Sequence, residues 1–540
     1  MAKKHLKILA AALALALVLP ACSSGGGSSE KSEPAASSSA QAEASSVSEA
    51  SGTSEAAVPD QTGGKHLNAA IYWSAATIDP AVEYDGWTSC RAGITETLVM
   101  VDENLELVPL LADSWELKDD QVTWVMHIRD GVTFQNGKPV DAAAVKACFE
   151  RTMGIQERAI TACKIDHIEA DGQTLTIVTS EPFGAFLANL SEPVYSVIDV
   201  ESGTDPETSP IGTGPYMVTG YKAMEYIELA AYPGYWQGRP GVDTITLKTI
   251  SDDHTRSQAL QAGQIDIGQR INSTDVAVLQ ADADCEVYET AGTRVRVMIF
   301  NQKNPLLADY NIRKAIECCL RYDALTNIMG ATYTMAGAPF PSSAPYGYNE
   351  LDVQHYDPEK TAQCLKDAGY EDTDGDGYVD KDGKALELRL IHDDDSISAA
   401  MDAVMDMAKT AGIKLDVKKV DTTADAEHSG DYDIMIRNWQ SLSTGDPQWL
   451  LDSMYKTGAM NNLSNYSSAE MDEICNKMTQ AFTFEDRQAL AIEAEKLILA
   501  DSINVMMFGQ NNFVMARKNV SNVKPYPIDY YFIDWELTID

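Results

Sequence analysis

Histidines, cysteines and closely spaced carboxylates are the side chains best able to hold a metal or activate a nucleophile. In this chain few of them fall at a useful spacing. The eight histidines (His5, His66, His127, His167, His254, His355, His392 and His428) are scattered, and no two lie one helical turn apart. There is no paired-cysteine zinc spacing and no His-Glu-x-x-His helix. No P-loop occurs, and Gly212-Thr213-Gly214 runs into Pro215, which is not a dinucleotide turn. Ser453-x-x-Lys456 is followed by Thr457-Gly458, so two motifs that acyl-enzymes place on separate elements share one lysine here. Asp372-x-Asp374-x-Asp376-Gly377 has the first half of a calcium loop, but its twelfth position is Gly383 in place of a bidentate glutamate. It reads as an acidic turn between a helix and a strand. The chemistry left is binding without catalysis: no enzyme, no cofactor and no resident metal are expected.

Composition narrows the partners. Against 81 acidic side chains stand 41 basic ones, a formal net charge of −40 that repels a phosphate backbone and excludes nucleic acid. With 44% hydrophobic and 8% aromatic residues the chain can bury a large core. Beyond Cys22 come Cys90, Cys148, Cys163, Cys285, Cys318, Cys319, Cys364 and Cys475 at irregular spacings. Five of these sit within helical patterns where a small apolar residue would serve. Buried free thiols are expected for most, with one or two bridges left open.

The N-terminus addresses the chain. Lys3, Lys4 and Lys7 precede an apolar run from Ile8 to Leu19, too short to span a bilayer and suited to an export signal. Leu19-Pro20-Ala21-Cys22 resembles the lipobox of bacterial lipoproteins, which implies cleavage after residue 21 and lipidation of Cys22. The alternative is an ordinary signal peptide with a chance cysteine. Ser23 to Gly64 is built from Ser, Ala, Gly and Glu and buries too little apolar surface to fold. It reads as a flexible tether with a reach of roughly 35 Å. No later apolar run is long enough for a membrane helix, so residues 65–540 are expected to be soluble and extracytoplasmic.

The elements that must position any site alternate between strand and helix, which gives an α/β class. His66 to Trp73, Trp124 to Arg129, Thr174 to Thr179, Ile413 to Val420 and Tyr432 to Arg437 read as strands. Asp141 caps a helix through Phe149, and Asp357-Pro358 opens another that Gly369 closes. Arg313 to Cys319, Ser398 to Ala411 and Ser468 to Ala500 read as helical.

Several blocks then appear in order: Pro109-Leu110-Leu111-Ala112-Asp113-Ser114-Trp115-Glu116, Ile128-Arg129-Asp130-Gly131-Val132-Thr133-Phe134 and Asn136-Gly137-Lys138-Pro139-Val140-Asp141-Ala142. They continue with Pro210-Ile211-Gly212-Thr213-Gly214-Pro215-Tyr216, Tyr235-Trp236-Gln237-Gly238-Arg239-Pro240, Ala262-Gly263-Gln264-Ile265-Asp266, Ile312-Arg313-Lys314-Ala315-Ile316 and Tyr356-Asp357-Pro358-Glu359-Lys360. This pattern resembles the peptide/nickel family of ABC-importer solute-binding proteins, family 5. The glycines at the ends of these strands fit turns at positive φ, and Gly212 to Tyr216 looks like a bend bringing backbone close to another element.

The resemblance implies a two-lobed periplasmic-binding-protein-like clamp of type II, with an enlarged first lobe and two hinge crossings. The crossings fall near Val297–Asn301 and Met507–Gln510. Residues 65–297 plus 508–540 then form the large lobe and 298–507 the second. Implied partners are a short peptide or metal-chelate ligand, ABC permease and ATPase subunits, and the membrane through the lipid anchor; a monomer is expected.

The ligand reading also comes from the resemblance. Peptide-binding members catch the α-amine with an aspartate three residues after a tryptophan. In Arg437-Asn438-Trp439-Gln440-Ser441-Leu442 that place is Leu442, and Asp446 is the nearest substitute. Nickel-chelate members show Arg-x-Trp, matched by Arg437-x-Trp439, but their ligating histidine is replaced by Ile436. Arg158 falls near their carboxylate-binding arginine, whose planar fork suits both oxygens. A second arginine expected near Pro193 is replaced by Val194-Tyr195-Ser196. Tyr84, Trp87 and Tyr195 are placed in loops facing the cleft. The ligand-binding set is therefore Trp439, Arg437, Asn438, Asp446, Arg158, Tyr84, Trp87 and Tyr195, for a short peptide or peptide-like zwitterion. A nickel or other metal chelate is the alternative within the class, and a peptide-sensing surface receptor the alternative outside it.

Overall fold

The computed structural model describes residues 64–341, 344–347 and 350–540. The signal segment, Cys22 and the tether up to residue 63 lie outside the described residues. Local signals act where the sequence places them. Asp141 accepts a hydrogen bond from the Ala144 amide at 2.8 Å and starts the helix Ala142–Ile155. Asp357 does the same for Lys360 at 2.9 Å, with Pro358 in the first turn of Pro358–Asp367 and Gly369 at φ +83° beyond its end. Each such cap contributes about 1 kcal/mol.

Two strands organise the chain. Cys285–Phe300 and Asn504–Arg517 pair antiparallel at the centre of an eleven-stranded sheet. On one side the order continues through Ile434–Gln440, Glu387–His392 and Lys414–Lys419; on the other it runs through Ile267–Gln269, His66–Ile71, Thr244–Thr249, Tyr226–Ala231 and Tyr216–Lys222, and the short strand Tyr333–Met335 pairs with Asn504–Arg517 off this path. The central ladder shifts register between Thr290 and Arg294 and again between Arg296 and Val297. A separate four-stranded antiparallel sheet comprises Ala112–Leu117, Thr123–Ile128, Thr174–Thr179 and Ile165–Asp171.

The cores follow these sheets. Met298, Phe300, Leu388, Leu390, Ile434 and Phe508 pack with the helices Tyr310–Cys319 and Ser398–Thr410. Met126, Ile128, Leu175 and Ile177 of the small sheet pack with Val145 and Phe149 of the helix Ala142–Ile155. The bend at Gly212 to Tyr216 does bring backbone close to another element: a Cβ on Gly212 or Gly214 would collide with the carbonyl oxygens of Ile94 and Gly93.

Two expectations change. The stretch Ser468 to Ala500 is not one helix but two, Ala469–Thr479 and Phe484–Ala500. Thr483 caps the second through the Asp486 amide, and Phe482 in the gap packs against the small-sheet core beside Trp124. Burying that ring outweighs one more turn of helix. The bridges left open for the cysteines do not form: the eight beyond Cys22 are all buried free thiols. Burial pushes the Cys90 thiol up to about 12 and that of Cys148 up to about 11, so neither is a ready nucleophile.

Candidate functional site

The strand Ile434–Gln440 pairs with the central strand so that Arg437 lies opposite Val297 and Gln440 opposite Arg294. Its last residues line a cavity of about 260 Å³. Six of the expected residues meet there: Tyr84, Trp87, Arg158, Arg437, Asn438 and Trp439. Tyr84 and Trp87 flank the start of the helix Gly86–Arg91, and Arg158 comes from Glu157–Cys163. Residues near 84–192 thus face residues near 437–449 across one space, and Thr444 Oγ1 donates to Asn189 Oδ1 across it at 3.2 Å.

Three guanidiniums reach the cavity. Arg437 donates from Nη1 to Thr423 Oγ1 at 2.7 Å and pairs with Glu427 at 2.8 Å, its side chain 33% exposed. Arg158 pairs with Glu192, donates to the Glu83 carbonyl at 2.8 Å and stacks 4.5 Å over the Tyr84 ring. Arg294 donates to Asp529 at 3.1 Å. Asp529 also faces Arg91 and accepts from Tyr72, and these partners hold its carboxyl well below the usual carboxylate range. Trp87 lies 5.0 Å from Tyr530, and Trp439 lies 5.8 Å from Trp449. The indole N–H groups of Trp87 and Trp439 and the Oε1 of Gln440 are buried without a hydrogen-bond partner.

Two expected residues stand elsewhere. Tyr195 is almost fully buried in the small-sheet core, 5.6 Å from Phe149, and donates its hydroxyl to the Ala159 carbonyl at 2.6 Å. Asp446 is buried against Arg487, which donates to it from Nε at 2.7 Å, and its other oxygen accepts the Gln448 amide. Neither lines the cavity. Conversely, Arg294, Glu192, Gln440, Trp449 and Tyr530 line it without being among the expected residues. Arg294 and Glu192 lie outside the recognisable blocks, and no local periodicity marks them.

Metal-donor chemistry is thin at the cavity. No histidine or cysteine is among its described lining residues, and Ile436 is buried. The carboxylates of Asp372, Asp374 and Asp376 do lie close together, exposed on their turn. There they accept amides of the same loop, Gly375 and Gly377 to Asp372 and Tyr378 to Asp376.

An α/β fold that gathers aromatic and arginine side chains around one cavity has the form of a small-molecule binding site. The family "Bacterial extracellular solute-binding proteins, family 5 Middle" matches residues 106–462, and the chain belongs to it. The nickel-binding protein NikA of Staphylococcus aureus is 24% identical over 479 residues, covering 88% of this chain and 95% of that protein. The glutathione-binding protein GsiB of Pectobacterium atrosepticum is 26% identical over 422 residues, covering 74% and 80%. Among solved structures, a nickel ABC transporter protein from Bacillus halodurans superposes with a TM-score of 0.76 at 31% identity, covering 88% of this chain and all of that one. The molecule is therefore an extracytoplasmic solute-binding protein of the ABC-importer type, with the two-lobed α/β fold of that family, and not an enzyme.

Proposed function

We propose that this protein captures a short peptide or peptide-like zwitterion between its lobes and delivers it to an ABC permease and its ATPase. The observation that carries the reading is the convergence of Arg158, Arg294 and Arg437 with Glu192 around one aromatic-walled cavity. A zwitterion presents a carboxylate, which the planar guanidinium fork binds through both oxygens, and an ammonium, which Glu192 can accept. At about 260 Å³ the cavity is a little smaller than the ~300–1,000 Å³ usual for small-molecule sites, which favours a ligand of few residues. Residues 65–297 plus 508–540 would close on 298–507 about the two long central strands, near Val297–Asn301 and Met507–Gln510. Lipidated Cys22 and the tether behind it would hold the clamp at the membrane surface as a monomer.

A second reading has its own support. Arg437-x-Trp439 lies in the cavity, and both NikA and the 31% identical neighbour are described by nickel. With no lining histidine, a metal cargo would arrive with its coordination filled by a small chelator whose carboxylates the arginines grip. Native mass spectrometry of the purified protein, before and after unfolding and refolding, separates the two. A released mass of a di- to pentapeptide is the expected result, and a nickel isotope pattern with a small chelator moves the protein to the second reading. Release of a neutral solute such as a sugar would overturn both.

A further inference from the structure

A second cavity, of about 320 Å³, shares no lining residue with the first and is the larger of the two. The segment 524–536 contributes to both, Tyr530 to the first and its neighbour Tyr531 to the second. Aromatic residues pair along this lining: the ring centroids of Tyr526 and Tyr531 lie 5.3 Å apart, and those of Tyr235 and Trp535 6.3 Å apart. Five acidic residues join them, Glu96, Asp102, Glu103, Asp534 and Glu536, against the single basic residue Lys524. Part of that charge is already answered. Lys524 pairs with Asp534 and Glu536, and Asp102 accepts the amides of Asn104 and Glu106 at 2.8 Å. Glu96 and Glu103 are left without an ion-pair partner among the described residues. Glu103 is exposed in the turn between the strands Val99–Val101 and Leu107–Pro109. Glu96 is only 7% exposed, and its hydrogen bonds come from neutral donors, the Tyr235 hydroxyl at 2.8 Å and Trp236 Nε1 at 3.3 Å. These donors and the more distant Arg129 offset only part of the loss of water, so burial pushes the Glu96 carboxyl up to about 7.

Carboxylates set among aromatic rings suit a cation that carries apolar surface, because the ring faces attract the charge and the rings bury the alkyl groups. A bare metal ion is a poorer match. It needs several oxygens close together, and among the described residues only Asp372, Asp374 and Asp376, on a different turn, bring three donors within 4.8 Å of one another. We propose that this cavity is a second binding site, for a small organic cation of the alkylammonium class. Glu96 and Glu103 supply the negative charge, and Tyr235, Tyr526, Tyr531 and Trp535 the apolar and π contact. The site is independent of the cargo held in the first cavity.

Choline and its neutral isostere 3,3-dimethylbutan-1-ol are the probes, since they share a shape and differ by one charge. Calorimetry on the purified protein is expected to show choline binding about tenfold more tightly than the alcohol. Glu96→Gln is expected to weaken choline about tenfold and Trp535→Leu about fivefold. Glu103→Gln, on an exposed turn where the fold is not at stake, is expected to weaken it about threefold. Neither glutamine variant should change binding of the alcohol. Thermal unfolding shows whether each variant is folded, and the isostere comparison with Glu103→Gln decides the matter even if Glu96→Gln is not. Absence of choline binding, or equal binding of choline and the alcohol, would overturn the proposal. Choline affinity left unchanged by both glutamine variants would overturn it as well, because the cation would then sit elsewhere, as in the first cavity.

Discussion

Two arginine–carboxylate pairs invite comparison, one in the protein interior and one at the cavity. Arg487 is almost completely enclosed, and its donors go to Asp446, Gln448 and the carbonyls of Met478 and Ala481. Arg437 pairs with Glu427 and Thr423 but keeps a third of its side chain exposed. The first guanidinium has no face left for a ligand, and the second has. A charge near a cleft is a binding group only where its own neighbours leave donors unused, which residue type alone cannot reveal.

Removing one member of the enclosed pair is the strongest way to test that contrast. Asp446→Ala strands the Arg487 charge in the interior and should destabilise the fold by about 3–5 kcal/mol. Its denaturant midpoint falls, while the affinity of the molecules that remain folded is unchanged. Arg437→Ala and Trp439→Ala should do the reverse. Ligand affinity drops by about 2 kcal/mol, roughly thirtyfold, with a stability change under about 1 kcal/mol. Calorimetry alongside thermal unfolding reads both quantities, and normal affinity in both variants would remove the second-lobe side of the site.

Glu495 sharpens the comparison with a buried carboxyl that has no cationic partner among the described residues. It is fully buried, its Oε1 accepts the Phe340 amide at 3.2 Å, its Oε2 has no partner, and burial pushes its carboxyl up to about 8. The unfolded chain releases this proton near pH ~4.3, so it binds fewer protons than the folded state between there and pH 8. The stability this group contributes is full at low pH and is lost as pH rises across that window. Glu495→Gln should therefore raise the denaturant midpoint at pH 8 and change it little at pH 4. Equal midpoints for the two proteins at pH 8 would contradict the assignment. The smallest effect belongs to Tyr195→Phe, which removes the bond to the Ala159 carbonyl: about 1 kcal/mol of stability and no change in ligand affinity.

Much of the fold and part of the site are legible in the sequence, for reasons that differ. Arg437, Asn438 and Trp439 belong to one short strand, so finding one finds all three. Asp446 looks like a ligand group in the sequence because the partner that claims it, Arg487, is 41 residues away. Tyr195 misleads in the same way, because a short turn at Pro193–Tyr195 carries its ring into the small-sheet core. Residues 468–500 read as one long helix because periodicity does not register that Phe482 is worth more in a neighbouring core than in a helix.

The sequence by itself determined what short-range forces settle: the capped helices at Asp141 and Asp357, the alternating strands, and the ordered blocks that mark the family. Only the tertiary structure decided which arginines line the cavity. Arg294 meets Asp529 across 235 positions, and Trp87 shares a cavity with Trp439 although most of the chain lies between them. A cap is chosen within three residues of backbone, where geometry follows from residue type. An unpaired donor is defined by everything that fails to reach it, and that depends on the whole packed molecule.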